Sequence, residues 1–257
     1  MEQKEKQEQQ QHQQQHQKAR KAPGEEPDAP HQDELIPDKL ARVEDPLEQA
    51  IKFLKPLQSL ASKNIETHLM AFEIYYRKGK LLLMLQSIKR ALRLEPSNSL
   101  LHTCIVRFVE LVSSKLESLD APVAEVIVQA MKSFTLGRKA QEINDDYLKK
   151  NGNSLSALLQ GARMMYYLDK SRQNEAIQLA TKLQGVDGVN LKNCSDVLQA
   201  LQAGDFGSCP QQIEEYKENC HKIMKYAVVF RPPPPPSQQE IDPSETTLEI
   251  PVPDISH

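Results

Sequence analysis

The sequence predicts an all-α protein, an array of stacked helical hairpins between two low-complexity ends, and three observations lead there. Between residues 45 and 230 it is rich in Leu, Ala, Lys, Gln and Glu, poor in Val and Thr, and free of Trp, a composition that favours helix throughout. Apolar side chains in this region recur at steps of three and four residues. The links between periodic segments are short and carry Asn, Asp, Gly, Ser or Pro, as expected between antiparallel helix neighbours. No segment reads as a strand.

The elements follow in order. Asp45-Pro46-Leu47-Glu48 starts a helix, with Asp45 as cap, Pro46 at the first helical position and Glu48 placed to reach back in a capping box. Leu47, Ile51, Leu54 and Leu57 then share one face, and Pro56 predicts a kink or an early stop. Asn64 caps a second helix running to about Lys78. Gly79 breaks it, and a third helix runs from Lys80 to about Leu94, closed by Pro96. Further helices are predicted at about 98–116, 121–135, 140–151, 154–169, 172–184, 194–203 and 210–228. In the last, Ile213, Tyr216, Cys220, Ile223 and Ala227 form one stripe.

Outside this region the composition changes. Residues 1–44 have almost no large apolar side chains, and the first twenty include nine glutamines, too little apolar surface to offset the entropy of ordering. A disordered or loosely helical head is expected. Residues 231–257 begin a tail with the run Pro232 to Pro236, five acidic residues and no Lys or Arg after Arg231, which predicts an extended acidic segment.

The 257 residues suffice for one large domain or two small ones. A net charge of -3 argues against a protein devoted to neutralising phosphate backbone, although a local basic face is compatible with it. No apolar run approaches the ~20 residues that span a bilayer. The N-terminus shows no secretory signal, and Cys104, Cys194, Cys209 and Cys220 lack C-x-x-C spacing, so a reducing cytoplasmic or nuclear location is expected. Zinc held by Cys194, Cys209, Cys220 and His221 is conceivable, but the adjacent Cys and His would point to different faces of a helix. Plain thiols are the simpler reading.

One stretch, YYRKGKLLLMLQSIKRALRLEP at Tyr75 to Pro96, carries the most information. Five apolar residues, Leu81 to Leu85, lie between the clusters Arg77, Lys78, Lys80 and Lys89, Arg90, Arg93. It could be a membrane-surface helix, a nucleic-acid arm or one unit of a helical repeat. The tetratricopeptide signature decides for the repeat: with Pro96 at the closing position, Tyr75, Gly79, Ala91, Leu92 and Leu94 all fall on its 34-residue frame. The early aromatic is replaced by His68 and the mid-helix small residue by Met84, so the repeat is degenerate. A weaker echo in Tyr167 and Ala176 keeps the nine-residue spacing of Tyr75 and Met84 but lacks the Gly and Pro. In this frame Leu81 to Leu85 is apolar all round because a hairpin helix packs on its partner and on the next hairpin, leaving a narrow solvent strip. The two basic clusters then lie about 20 Å apart as separate patches. Each is either a solvated helix end or a contact for an acidic partner, RNA phosphates or a polyanionic ligand.

No H-E-x-x-H, P-loop, G-x-S-x-G or G-x-G-x-x-G motif occurs, and none of the nine glycines sits in a [QR]-x-x-G-x-[GA] acyl-CoA loop. His12, His16, His31 and His257 lie in the ends, and His68, His102 and His221 are single residues on predicted helices. A non-enzyme with no catalytic residue, cofactor or small-molecule substrate is expected.

The segments ELIPDKLARVEDPLEQAIKFLKPL at 34–57, ETHLMAFEIYYRKGKLLLMLQSIKRA at 66–91, ARMMYYLD at 162–169 and ENCHKIMKYAVVFRPP at 218–233 resemble the C-terminal part of the auxiliary, ribosome-anchoring subunit of the N-terminal acetyltransferase A (NatA) complex. The resemblance runs in order from Glu34 to Pro233. It implies a tetratricopeptide superhelix that wraps a catalytic acetyltransferase subunit, docks near the ribosomal exit tunnel and contacts huntingtin-interacting protein K through its C-terminal helices. The family's superhelix has many more repeats before this region, including those that hold the catalytic subunit and inositol hexakisphosphate. A fragment, short isoform or partial gene model is therefore expected.

Overall fold

The structure is a computed structural model that describes residues 42–231. The expected Gln-rich head, up to residue 41, and the Pro-rich acidic tail, from residue 232, lie outside the described residues. The chain divides into two units, Met1–Gln49 and Ala50–His257. Of the first, the described part is the start of a helix, where Asp45 Oδ1 accepts from the Glu48 amide at 2.9 Å as the cap the sequence predicts.

Ten α-helices are present among the described residues: α1 (Pro46–Leu60), α2 (Ile65–Arg77), α3 (Leu81–Leu94), α4 (Ser99–Lys115), α5 (Ala121–Thr135), α6 (Ala140–Asn151), α7 (Leu155–Leu168), α8 (Gln173–Ala180), α9 (Leu191–Gln202) and α10 (Pro210–Ile223). The nearest approach to a sheet among them is an isolated bridge between Ser154 and Asp187.

Helix α2 begins where Asn64 accepts a hydrogen bond from the Glu66 amide at 3.0 Å. It ends at Arg77, and the chain turns at Gly79, whose φ of +64° favours glycine; the Lys80 amide reaches Tyr75 O at 2.9 Å and the Gly79 amide reaches Tyr76 O at 3.1 Å. These two bonds satisfy carbonyls that the helix end leaves open and aim α3 back along α2. Met84, Ile88 and Ala91, on one face of α3, are then almost wholly buried against Leu69, Phe72 and Tyr75 of α2. Leu101, Cys104, Phe108 and Val112 of α4 complete this first core.

A second core is built by α7 to α10, with Leu155, Ala162, Met165, Ala176, Val197, Phe206 and Tyr216 among its buried members. Between the two cores, α4, α6 and α7 are tied by buried polar groups. Asn144 donates through Nδ2 to Gly161 O at 2.9 Å, which leaves its Oδ1 to accept from His102 Nε2, also at 2.9 Å. His102 stacks on Tyr147 with ring centroids 3.6 Å apart. Burial holds its pKa down to about 4 against the smaller upward pull of the Asn144 bond. Gly161 permits the close approach of α6, since a Cβ there would stand 2.4 Å from Leu148 Cδ2.

The structure corrects several expectations. Pro56 does not end α1, which continues to Leu60. Helix α8 stops at Ala180, with Thr181 as its C-cap, and does not reach residue 184. Helix α9 starts at Leu191, earlier than predicted, because the Asn190 side chain caps it by accepting from the Asn193 amide at 3.0 Å. Helix α10 stops at Ile223, and a 3-10 turn at Val228–Phe230 brings Phe230 into the second core. Nor is α3 buried all round: Leu81, Met84 and Leu85 face the core, while Leu82 is 46% and Leu83 39% exposed. The hairpin covers one side of the helix, and no described neighbour covers the other.

Candidate partner-binding surface

The two predicted basic patches fare differently. At the α2–α3 turn, Arg77 is exposed but already engaged, its Nη1 donating at 2.9 Å to both the carbonyl and the carboxylate of Glu73 one turn earlier. Lys78 is half-buried as the C-cap of α2, and Lys80 is exposed as the N-cap of α3. Near the other end of α3, Lys89 and Arg93 are exposed and Arg90 is half-buried. The two patches remain separate surfaces at opposite ends of one helix. Of the residues of the repeat frame, Tyr75 and Ala91 are buried, Leu92 and Leu94 half-buried, Gly79 forms the turn and Pro96 follows the helix end.

A third polar cluster, which the sequence did not reveal, forms where α2, α4 and α7 meet. Arg107 of α4 pairs with Glu73 and lies over the ring of Tyr76, its guanidinium carbon 4.1 Å from the centroid and 5.6 Å from that of Phe72. Burial works against the charge on Arg107, but the hydrogen bonds and charge of Glu73 outweigh it and raise its pKa. Tyr76 and Tyr167 place their hydroxyls 3.3 Å apart across 91 residues of sequence. Burial, aided by Tyr76, pushes Tyr167 up to about 12. Arg163 and Asp205 pair at 2.7 Å on the far wall of the resulting groove of about 530 Å³. Its signal in sequence was limited to the aromatic-basic pairs YYR and YYLDK, whose meeting depends on how the hairpins stack.

An exposed apolar patch lies at the C-terminal end of the array, where Leu191, Ile223, Tyr226 and Val228 are each more than half exposed. Cys194, Cys209 and Cys220 are buried, and among the described residues no three His, Cys, Asp or Glu side chains are grouped to hold a metal ion. No helix among them is long and apolar enough to cross a membrane.

Stacked helices with a polar groove and an apolar end offer surfaces for partners, and known sequences are related to this one. Residues 1–91 match the family described as N-terminal acetyltransferase A, auxiliary subunit. The chain is 48% identical over 203 residues, 79% of its length, to the protein named N-alpha-acetyltransferase 16, NatA auxiliary subunit, of Mus musculus, and 48% identical over 202 residues to the protein of that name from Homo sapiens. It is 33% identical over 150 residues, 55% of its length, to the N-terminal acetyltransferase A complex auxiliary subunit NAA15 of Arabidopsis thaliana. This chain is a homologue of the NatA auxiliary subunits. It spans about a quarter of the two mammalian relatives, 23% of each, and 16% of the plant one.

Proposed function

We propose that this chain is a non-catalytic scaffold segment of a NatA auxiliary subunit, supporting co-translational N-terminal acetylation by holding protein partners in register. The chemistry then belongs to a catalytic subunit. The observation that carries this reading is the 48% identity to NatA auxiliary subunits over 79% of the chain. The hairpin array supports it: tetratricopeptide-like units stack into long rigid surfaces that position what they bind. The apolar patch around Tyr226, 93% exposed, is the kind of surface that protein contacts cover. In this reading the partners are huntingtin-interacting protein K, the ribosome and, through a longer product, the catalytic acetyltransferase subunit, and the location is cytoplasmic or nuclear.

The test is a pull-down with the full chain, probed separately for the catalytic subunit and for huntingtin-interacting protein K. Retention of the small regulatory partner with loss of the catalytic subunit is the expected result. Retention of neither overturns the proposal. The rival reading, an RNA- or ribosome-binding adaptor using the two basic patches, has less support at the α2–α3 turn, where Glu73 already engages Arg77.

A further inference from the structure

Arginines elsewhere in the array are paired with carboxylates. Arg77 and Arg107 share Glu73, Arg138 pairs with Asp146, Arg163 with Asp205, and Arg172 with Glu175. Arg90 and Arg93 break the pattern, for neither has an ion pair or hydrogen bond among the described residues. Both line one recess of about 330 Å³, closed by Gln58 of α1, Ser62 of the following loop, His68 of α2 and Leu94 of α3. No Asp or Glu among the described residues lines it.

The recess has a rigid floor. His68 is 3% exposed, and its Nε2 donates to Ser62 O at 2.9 Å, fixing both the ring and the loop between α1 and α2. Its Nδ1 is buried with no hydrogen-bond partner among the described residues. Three residues apart on α3, the guanidiniums of Arg90 and Arg93 lie on neighbouring positions of one helix face. Two forked donors beside each other suit oxyanions, which they engage through paired N–H bonds that a lysine cannot reproduce.

We propose that this recess is a docking site for an acidic peptide segment, with Arg90 and Arg93 taking its carboxylates and Gln58 and Ser62 offering further polar contacts at the rim. Two features favour a peptide over nucleic acid. Among the described residues no aromatic side chain lines the recess other than the imidazole of His68, which is buried and tied to Ser62, so they present no stacking platform for bases. The lining also offers two arginines and no lysine, whereas backbone-tracking sites are extended basic grooves. The site lies apart from the Arg107 groove, and its existence does not depend on the NatA reading.

The experiment is fluorescence anisotropy of labelled octa-aspartate, octa-serine and a single-stranded oligouridylate titrated with the full chain at low and physiological salt. Octa-aspartate binds and octa-serine does not, and affinity falls with salt. Arg90→Gln with Arg93→Gln weakens the acidic peptide by about tenfold or more. Lys89→Gln, next to the recess but outside its lining, changes it by less than about twofold. Circular dichroism melts show that the variants fold. Absence of peptide binding overturns the proposal, as does an equal loss on Lys89→Gln, which would mean diffuse surface charge. Tighter binding of oligouridylate through the same two arginines overturns it in favour of nucleic acid.

Discussion

Two hairpins of the array, α2–α3 and α7–α8, solve the same problem by different means. The first turns on Gly79 in the left-handed region and fills its crossing with Met84. The second turns through the 3-10 segment Lys170–Arg172, where Asp169 Oδ1 accepts from the Ser171 amide at 2.9 Å, and it crosses on Ala162 and Ala176, both fully buried. Their charges differ as well. Arg163 and Arg172 in the second hairpin are paired with carboxylates, while Arg90 and Arg93 in the first have no such pair among the described residues. The lesson is that a helical hairpin can be built with different turn chemistry and different surface charge.

Removing the first core should break the comparison most severely. Phe72→Ala, at a side chain 1% exposed, should cost about 3–5 kcal/mol in urea denaturation. Because stacked units lean mainly on their neighbours, hydrogen exchange should rise more in α2–α4 than in α9–α10. Uniform loss across both cores would show that the two hairpins unfold as one unit.

Acid should act next, on the junction between the cores. His102 has a folded-state pKa near 4 against 6.5 when unfolded, so the unfolded chain takes up the proton first. The stability tied to the neutral ring is complete above pH 6.5 and is lost as pH falls toward 4, reaching roughly 3 kcal/mol. Carboxylates titrate in the same range, so the informative quantity is the difference between the wild type and His102→Gln. An identical pH dependence in both would remove His102 as the cause.

Smaller effects sharpen the contrast between the turns. Gly79→Ala meets no atom within 4 Å and should pay only for its left-handed backbone, about 1–2 kcal/mol by thermal melting. Smallest of all, Arg77→Gln removes an exposed pair one turn long and should change stability by about 0.5 kcal/mol or less. Reversing Arg77, Lys78 and Lys80 to Glu should leave RNA binding unchanged; a large salt-sensitive loss in a filter-binding assay would revive the adaptor reading.

Much of the fold was legible in the chain because its signals are local. Asn64 announced the start of α2 and Pro96 the end of α3, since capping and ring sterics act within a few residues. Boundaries failed where distant contacts decided them. Phe230 leaves helical geometry to fill the second core, and Pro56 is carried inside a helix that runs on to Leu60. The six basic residues were visible, but their states were not. Nothing near Arg90 in sequence tells that it lacks a carboxylate, and nothing near Arg107 tells that Glu73 reaches it from 34 residues away.

By itself, then, the sequence determined that this protein is helical, where most of its helices begin and end, that Gly79 and Pro96 bound α3, and which family it is related to. These follow from periodicity, caps and dihedral preferences, which neighbouring residues set. Only the tertiary structure decided which side of α3 is buried, how Tyr76 meets Tyr167, that His102 and Asn144 join three helices, and which arginines keep an open valence. Those depend on how one hairpin stacks on the next, through contacts between residues far apart in the chain.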